Sequence, residues 1–354
     1  MAPDANDLLS FVASMGGERQ LRVEENLGEG YVRLRVAEAE RRQAKHDIRC
    51  VEDVVIEMLR NARDAGAHHI YVATSREGNL RCTTMLDDGS GIPTDMQAKI
   101  FEARVTSKLE SVHMDRWGVH GRGMALYSVS ENAVSAEVMS SALGKGSSIR
   151  VITDATELSE RADQSTWPSM GLDDDGEQNC VRGPHNIVRS CCEFALEERG
   201  TCEVYLGSPA EIAATARARA ARSVDGAGYL FIDDLSELPV IERLRIAADA
   251  RELMAVASGL GLEMSERTAH RIVSGQIKPL RSVSARLTHK GDASAVHEVD
   301  LARDRRGLKI SDRDVEEFSR IMSCSPSATR RARRSSIPTT YGGASEHSRC
   351  SMRE

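Results

Sequence analysis

Two short segments constrain this chain more than any other feature. Residues 57–66 read E-M-L-R-N-A-R-D-A-G, and residues 87–93 read D-D-G-S-G-I-P. From Val51 the apolar residues Val51, Val54, Val55, Met58, Leu59 and Ala62 recur at i, i+3, i+4, i+7, i+8 and i+11, one face of an α-helix. Glu57, Asn61 and Asp64 stand at i, i+4 and i+7 and form a polar stripe at the edge of that face. Polar groups placed there are half-buried beside a core, where a site is rigid and poor in water. Gly66 fits a C-terminal stop.

An extended pair follows. His69 to Thr74 reads as a strand, S-R-E-G-N as a polar turn, and Leu80 to Leu86 alternates as a half-buried strand does. The second strand runs into Asp87-Asp88-Gly89-Ser90-Gly91, where two glycines permit positive φ and close backbone approach to a ligand. Ile92-Pro93 leads into a short helix ending near Phe101. Residues 117–129 read W-G-V-H-G-R-G-M-A-L-Y-S-V, a glycine loop before a helix, and backbone N–H groups at such a start suit a phosphate. Two more strands, Val134 to Ser140 and Ser147 to Thr153, complete the set. This order lacks the strand–helix alternation of a parallel nucleotide-binding sheet. It predicts an α+β fold, a two-layer α/β sandwich with helices on one face of a mostly antiparallel sheet.

Residues from about 50 to 153 resemble the ATPase domain shared by gyrase B subunits, heat-shock chaperone ATPases, sensor histidine kinases and MutL mismatch-repair proteins, the GHKL or Bergerat-fold superfamily. Four motifs carry the resemblance in order: E-x-x-x-N (Glu57, Asn61), D-x-G-x-G (Asp87, Gly89, Gly91), a glycine-rich lid (Gly118, Gly121, Gly123), and a final G-S pair (Gly146, Ser147). V-T-S-K at 105–108 is similar to the lid of MutL and type IIB topoisomerase B subunits.

The resemblance implies an ATPase that uses Mg²⁺. Glu57 would be the general base for the attacking water. Asn61 would give its side-chain oxygen to Mg²⁺, a hard ion that keeps several waters. Asp87 would accept from the adenine amino group, with Ser147 supporting that contact. Gly118, Val119, His120, Gly121, Gly123 and Met124 would wrap the phosphates, and Lys108 or Arg122 would neutralise their charge. Asp64, Ile92, Thr106 and Ser107 complete the expected ATP contacts, Asp64 by bracing the helix end. The family completes its site with a lysine from a second domain. Q-I-K at 276–278 resembles that loop only superficially and is not assigned this role, so slow hydrolysis is expected.

The 354 residues allow about two domains, and a net charge of −7 gives no global electrostatic case for nucleic acid. The expected organisation is an N-terminal helical extension (1–45), the ATP-binding domain (46–155), an acidic linker (156–185), a small α/β segment (186–235), a helical region (236–320) and a basic disordered tail (321–354) with R-R-A-R-R at 330–334. Eight cysteines carry no metal-ligand spacing, no secretory leader is evident, and no apolar run is long enough to span a membrane. A cytoplasmic location is the expectation.

Residues 248–278 read as two short helices joined at Gly259 to Gly261, and they resemble the helix-turn-helix of bacterial repressors. The second helix would present Glu266, Arg267, His270 and Arg271 to DNA, with the basic tail as a further contact. Plain helix packing is the alternative. Three functions compete: an ATP-switched, DNA-associated protein that self-associates as a homodimer on ATP binding; a signalling histidine kinase; and an ATP-binding regulator acting through protein contacts. His46 in K-H-D-I-R is similar to a phosphoacceptor, but it lies eleven residues before Glu57, too near for a kinase's helical hairpin.

Overall fold

The structure is a computed structural model. It describes residues 23–35, 38–106, 113–115, 117–120, 123–161, 163–172, 179–220 and 234–289. The chain divides into two units, 1–293 and 294–354, and every described residue lies in the first. The expectations for residues 1–22, for a strand at Gly228 to Asp233 and for the basic tail lie outside the described residues.

β1 (Val23–Gly28) and β2 (Tyr31–Leu34) form a hairpin, and α1 (Glu38–Asp47) leads to α2 (Val51–Asp64). Asp53 fixes the start of α2. Its carboxylate accepts the backbone N–H of Arg49 at 2.9 Å and of Cys50 at 3.2 Å, the reach-back of a capping box. The helix ends where Gly66, at φ +75°, donates its N–H to the Arg63 carbonyl at 2.8 Å. All six apolar positions of the sequence stripe are buried.

β3 (His69–Glu77) and β4 (Leu80–Asp87) pair antiparallel. Two 3-10 turns, Thr94–Met96 and Lys99–Phe101, stand where one short helix is expected. β5 (Val105–Thr106) then pairs with β2. β6 (His113–Asp115) and β7 (Gly118–His120) form a small hairpin, where the glycine spacing predicts an open loop. There follow α3 (Ala125–Glu131), β8 (Ser135–Ser141), β9 (Ser147–Asp154), β10 (Ser169–Leu172), β11 (Asn179–Arg182), α4 (Ile187–Glu197) and β12 (Glu203–Gly207).

The main sheet runs β12-β3-β4-β9-β8, parallel at β12–β3 and antiparallel elsewhere. Alternation sends Ile70, Val72, Met85, Ile149, Val151, Val204 and Leu206 to one face, against α2, α3 and α4. Each large apolar side chain buried there contributes roughly 1.5–3 kcal/mol relative to exposure. This is the α/β sandwich expected from the motifs.

The remaining helices are α5 (Pro209–Arg219), α6 (Arg243–Ile246), α7 (Ala250–Gly259), α8 (Glu266–Val273) and α9 (Val283–His289). Ser208, Pro209 and Glu211 begin α5 with a capping box. α5 to α8 supply a second core against the other sheet face, around Tyr71, Ala73, Leu86 and Tyr205. Tyr71 and Tyr205 stack with centroids 5.0 Å apart. Thr84 and Ser148 donate to the Gly261 and Leu260 carbonyls at 2.9 and 2.7 Å, tying the α7–α8 turn to the sheet. The helical region therefore adds a third layer to the sandwich. Among the described residues no helix is long and apolar enough to cross a membrane.

Candidate functional site

Asp87 ends β4 and is buried, 4% exposed. Its Oδ1 accepts the Gly89 backbone N–H at 2.8 Å, and the Ser147 hydroxyl donates to Oδ2. Burial pushes the carboxyl up to about 6, and those donated bonds only partly offset the desolvation. The turn around it is locked by backbone bonds from Ser90 N to Ala65 O (2.8 Å), Gly144 N to Ser90 O (2.7 Å) and Gly146 N to Gly89 O (3.0 Å). Ser141 completes the lock: its Oγ accepts Ile92 N at 2.7 Å and donates to Gly146 O at 2.9 Å. Two glycines are obligatory. Gly91 sits at φ +70°, and a Cβ there would lie 1.9 Å from the Ala142 carbonyl oxygen. A Cβ on Gly146, at φ +76°, would lie 2.1 Å from the Asp87 carbonyl oxygen.

A cleft opens beside this turn. Its empty volume is about 780 Å³, solvent mouth included. Asn61, Asp64, Gly91, Ile92, Thr106 and Gly123 line it, all expected from the sequence. Asp87, Gly89 and Ser147 do not line the cleft; they belong to the turn that carries Gly91 into it. Met124 stands at the N-cap of α3, and Gly118, Val119 and His120 lie in β7 rather than in a loop. Ser107, Lys108, Gly121 and Arg122 lie outside the described residues. Tyr31, Ser90 and Leu126 also line the cleft and were not foreseen. Tyr31 comes from the N-terminal hairpin, and only the β2–β5 pairing brings it in, so no local sequence signal marks it.

Glu57 lies one turn before Asn61 on α2, its side chain 19% exposed. Arg60 Nη1 donates to Glu57 Oε1 at 2.6 Å, and Arg60 Nε donates to Asp115 Oδ2 at 2.8 Å. Arg60 is 3% exposed. Arg63 extends the network to Glu198 Oε1 (2.9 Å), Asp64 Oδ1 (3.1 Å) and Asp115 Oδ2 (3.4 Å). Desolvation works to raise the Asp115 carboxyl, but the Arg60 bond and charge outweigh it and hold the carboxyl below the usual range. Trp117 follows: its N–H donates to Asp115 Oδ1 at 3.0 Å and its ring stacks on Phe194 of α4 at 6.0 Å. The β6–β7 hairpin is thus pinned to α2 and α4 by a buried carboxylate and an aromatic ring. The sequence reading passed over Arg60 and Asp115, although Arg60 sits inside the motif.

The donor set suits a hard cation only in part. Asn61 and Asp64 offer oxygen ligands, and among the described residues no group of three or more His, Cys, Asp or Glu gathers around one point. A Mg²⁺ ion here fits if nucleotide oxygens and water supply the remaining ligands.

On the second face, α8 buries Ala269 and Ile272 and exposes Arg267, His270 and Arg271. Its start is capped by Ser265, whose side chain accepts from Thr268 N.

Comparison with known proteins agrees with this geometry. Residues 46–157 match the family model described as histidine kinase-, DNA gyrase B- and HSP90-like ATPase. DNA mismatch repair protein MutL of Chelativorans sp. is 42% identical over 76 residues, 22% of this chain and 12% of that protein. MutL of Thermus aquaticus is 39% identical over 84 residues, 23% of this chain and 15% of that protein. The chain thus matches well under a quarter of the length of these relatives. Full-length ShkA in complex with AMPPNP aligns over 78% of this chain and 62% of its own at 14% identity, and its TM-score of 0.24 carries no argument. The locked aspartate turn and the adjoining cleft lie within the residues that match this family model, so 46–157 form an ATP-binding domain of the GHKL type.

Proposed function

We propose that the chain binds Mg-ATP and hydrolyses it slowly, with Glu57 as general base, and that the cycle is coupled to self-association and DNA. The observation that carries the nucleotide reading is Asp87, a buried carboxylate braced by Ser147 and Gly89 beside a cleft lined by Asn61 and Asp64. Adenine satisfies such a group with its amino donor. Asn61 and Asp64 would hold a Mg²⁺ ion, which would screen the phosphate charge. Glu57 orients the attacking water and takes its proton.

Slow turnover follows from Arg60. A carboxylate engaged by a guanidinium at 2.6 Å must release it before accepting a proton from water. Arg60 also holds Asp115, so the base and the β6–β7 hairpin share one counter-charge. Displacing the hairpin frees Arg60 and rearranges Glu57, which couples hairpin position to chemistry.

The DNA reading rests on the exposed Arg267, His270 and Arg271 of α8 and on the MutL relatives, named as DNA mismatch repair proteins. Its test is a salt-dependent gel shift with an ATP analogue present, expected to disappear in Arg267→Ala/Arg271→Ala. Absence of any shift at low salt would favour a regulator that acts through protein contacts. The nucleotide reading is tested by ATP turnover in wild type beside Glu57→Ala, with binding measured in both. Loss of turnover with binding retained supports the base assignment, and equal turnover removes it.

A further inference from the structure

A second cavity lies on the same sheet face as α2, at the far end from Asp87. Arg81 marks it. Arg81 and Asp87 are six residues apart on β4 and share a face, so about 20 Å separates them along the strand. The cavity has an empty volume of about 600 Å³, solvent mouth included. Thr74, Arg81, Gln164, Trp167, Glu211 and Arg286 line it, with Ile187 and Val188 as an aliphatic wall.

Three buried polar atoms lack a hydrogen-bond partner among the described residues: Nε of Arg81, which lines the cavity, and Oε2 of Glu160 and of Glu52, which stand behind the lining residues Arg81 and Gln164. Arg81 is 9% exposed and pairs with Glu160 through Nη2. Arg76 approaches the orphaned Glu160 oxygen only to 3.5 Å. Glu52 is tied to the cavity by Gln164, which donates to its other oxygen. Arg286 lies 3.5 Å above the Trp167 ring and donates to Leu206 O at 3.1 Å. One orphan is a donor on a cation and two are acceptors on carboxylates.

We propose that this cavity binds a small zwitterion of the α-amino-acid class, separately from the nucleotide. Arg81 and Arg286 offer donors to a carboxylate, and Glu211, whose Oε2 is held by Ser208, offers its other oxygen to an ammonium group, with Glu160 behind Arg81. A simple anion meets the acidic pair unfavourably, and a simple cation meets the guanidiniums. A molecule bearing both charges a few ångströms apart satisfies both sides. The Ile187, Val188 and Trp167 wall receives an apolar side chain.

The test is isothermal titration of the full chain with L-alanine, L-valine and L-leucine, using propionate and ethylamine as single-charge controls. The expected result is saturable one-site binding of at least one amino acid, with both controls weaker by about tenfold or more. An ATP analogue should leave it unchanged. Arg81→Met removes a buried ion-pair partner and risks unfolding, so the deciding variants are Arg286→Met and the isosteric Thr74→Val. Both should weaken binding while the thermal transition stays cooperative. Binding of propionate as strong as that of its amino-acid counterpart overturns the zwitterion assignment. Absence of heat with all three amino acids at millimolar concentration overturns the site and leaves a water-filled cavity.

Discussion

The two regions proposed to serve the nucleotide are built differently. In the one proposed to read adenine a single carboxylate, Asp87, is fixed by Ser147 and Gly89 and enclosed by a turn closed with backbone bonds and glycines. In the one proposed to hydrolyse it Glu57 belongs to a chain of ion pairs, Glu57–Arg60–Asp115–Arg63–Glu198, that crosses three elements. The first arrangement is held by bonds within one turn and the strand beside it. The second has exchangeable partners, which suits a part that must change during a cycle. Recognition and turnover are therefore separable by mutation.

The largest expected effect is at the hydrolytic end. Glu57→Ala should lower kcat by about 10²–10⁴ with little change in nucleotide affinity, the usual worth of a positioned base. An equal loss of affinity would merge the two ends. Arg60→Met leaves the Asp115 carboxylate with only Arg63 at 3.4 Å and the Trp117 backbone N–H, and should destabilise the chain by about 3 kcal/mol in urea unfolding. Adding Asp115→Asn should recover part of that loss. Strict additivity of the two would show that they do not interact.

Asp87→Asn should weaken ATP by about 10–150-fold, the worth of a hydrogen bond to a charged group, while leaving the fold intact. The smallest effect is in pH. Asp87 has its carboxyl raised from 3.8 to about 6. Its protonated form therefore contributes stability that is full below about 3.8 and lost as pH rises through about 6. Adenine recognition has the opposite sign, since it uses the ionised acceptor. ATP affinity should fall as pH drops through about 6, and the difference between wild type and Asp87→Asn should shrink in step. A pH-independent difference would contradict the assignment.

Much of the adenine end was legible in the sequence because its determinants are local. The α2 stripe, the strand into Asp87 and the glycines of the turn are periodicities and φ demands within a few residues. Ser147 was found through its motif, and register delivers it: β4 and β9 pair Asp87 with Ser147 directly. The hydrolytic end was less legible. Asp115 reaches Arg60 across 55 residues, and nothing near H-M-D-R-W signals it. The glycines at 118–123 predict a loop, yet Gly118 pairs with Asp115 in a hairpin, because a short alternating run forms a strand once a partner is adjacent. The second sheet face was hidden for a similar reason. Thr83 and Thr84 read alike in sequence, but only Thr84 meets the Gly261 carbonyl from α7–α8.

Asp87 is proposed to read adenine from the turn beside the cleft. Its most direct test is isothermal titration of ATP and GTP, with Mg²⁺, into wild type and Asp87→Asn. One saturable ATP site is expected in wild type, with much weaker GTP and loss of that preference in Asp87→Asn. Equal affinity for ATP and GTP in wild type, unchanged by Asp87→Asn, would contradict it.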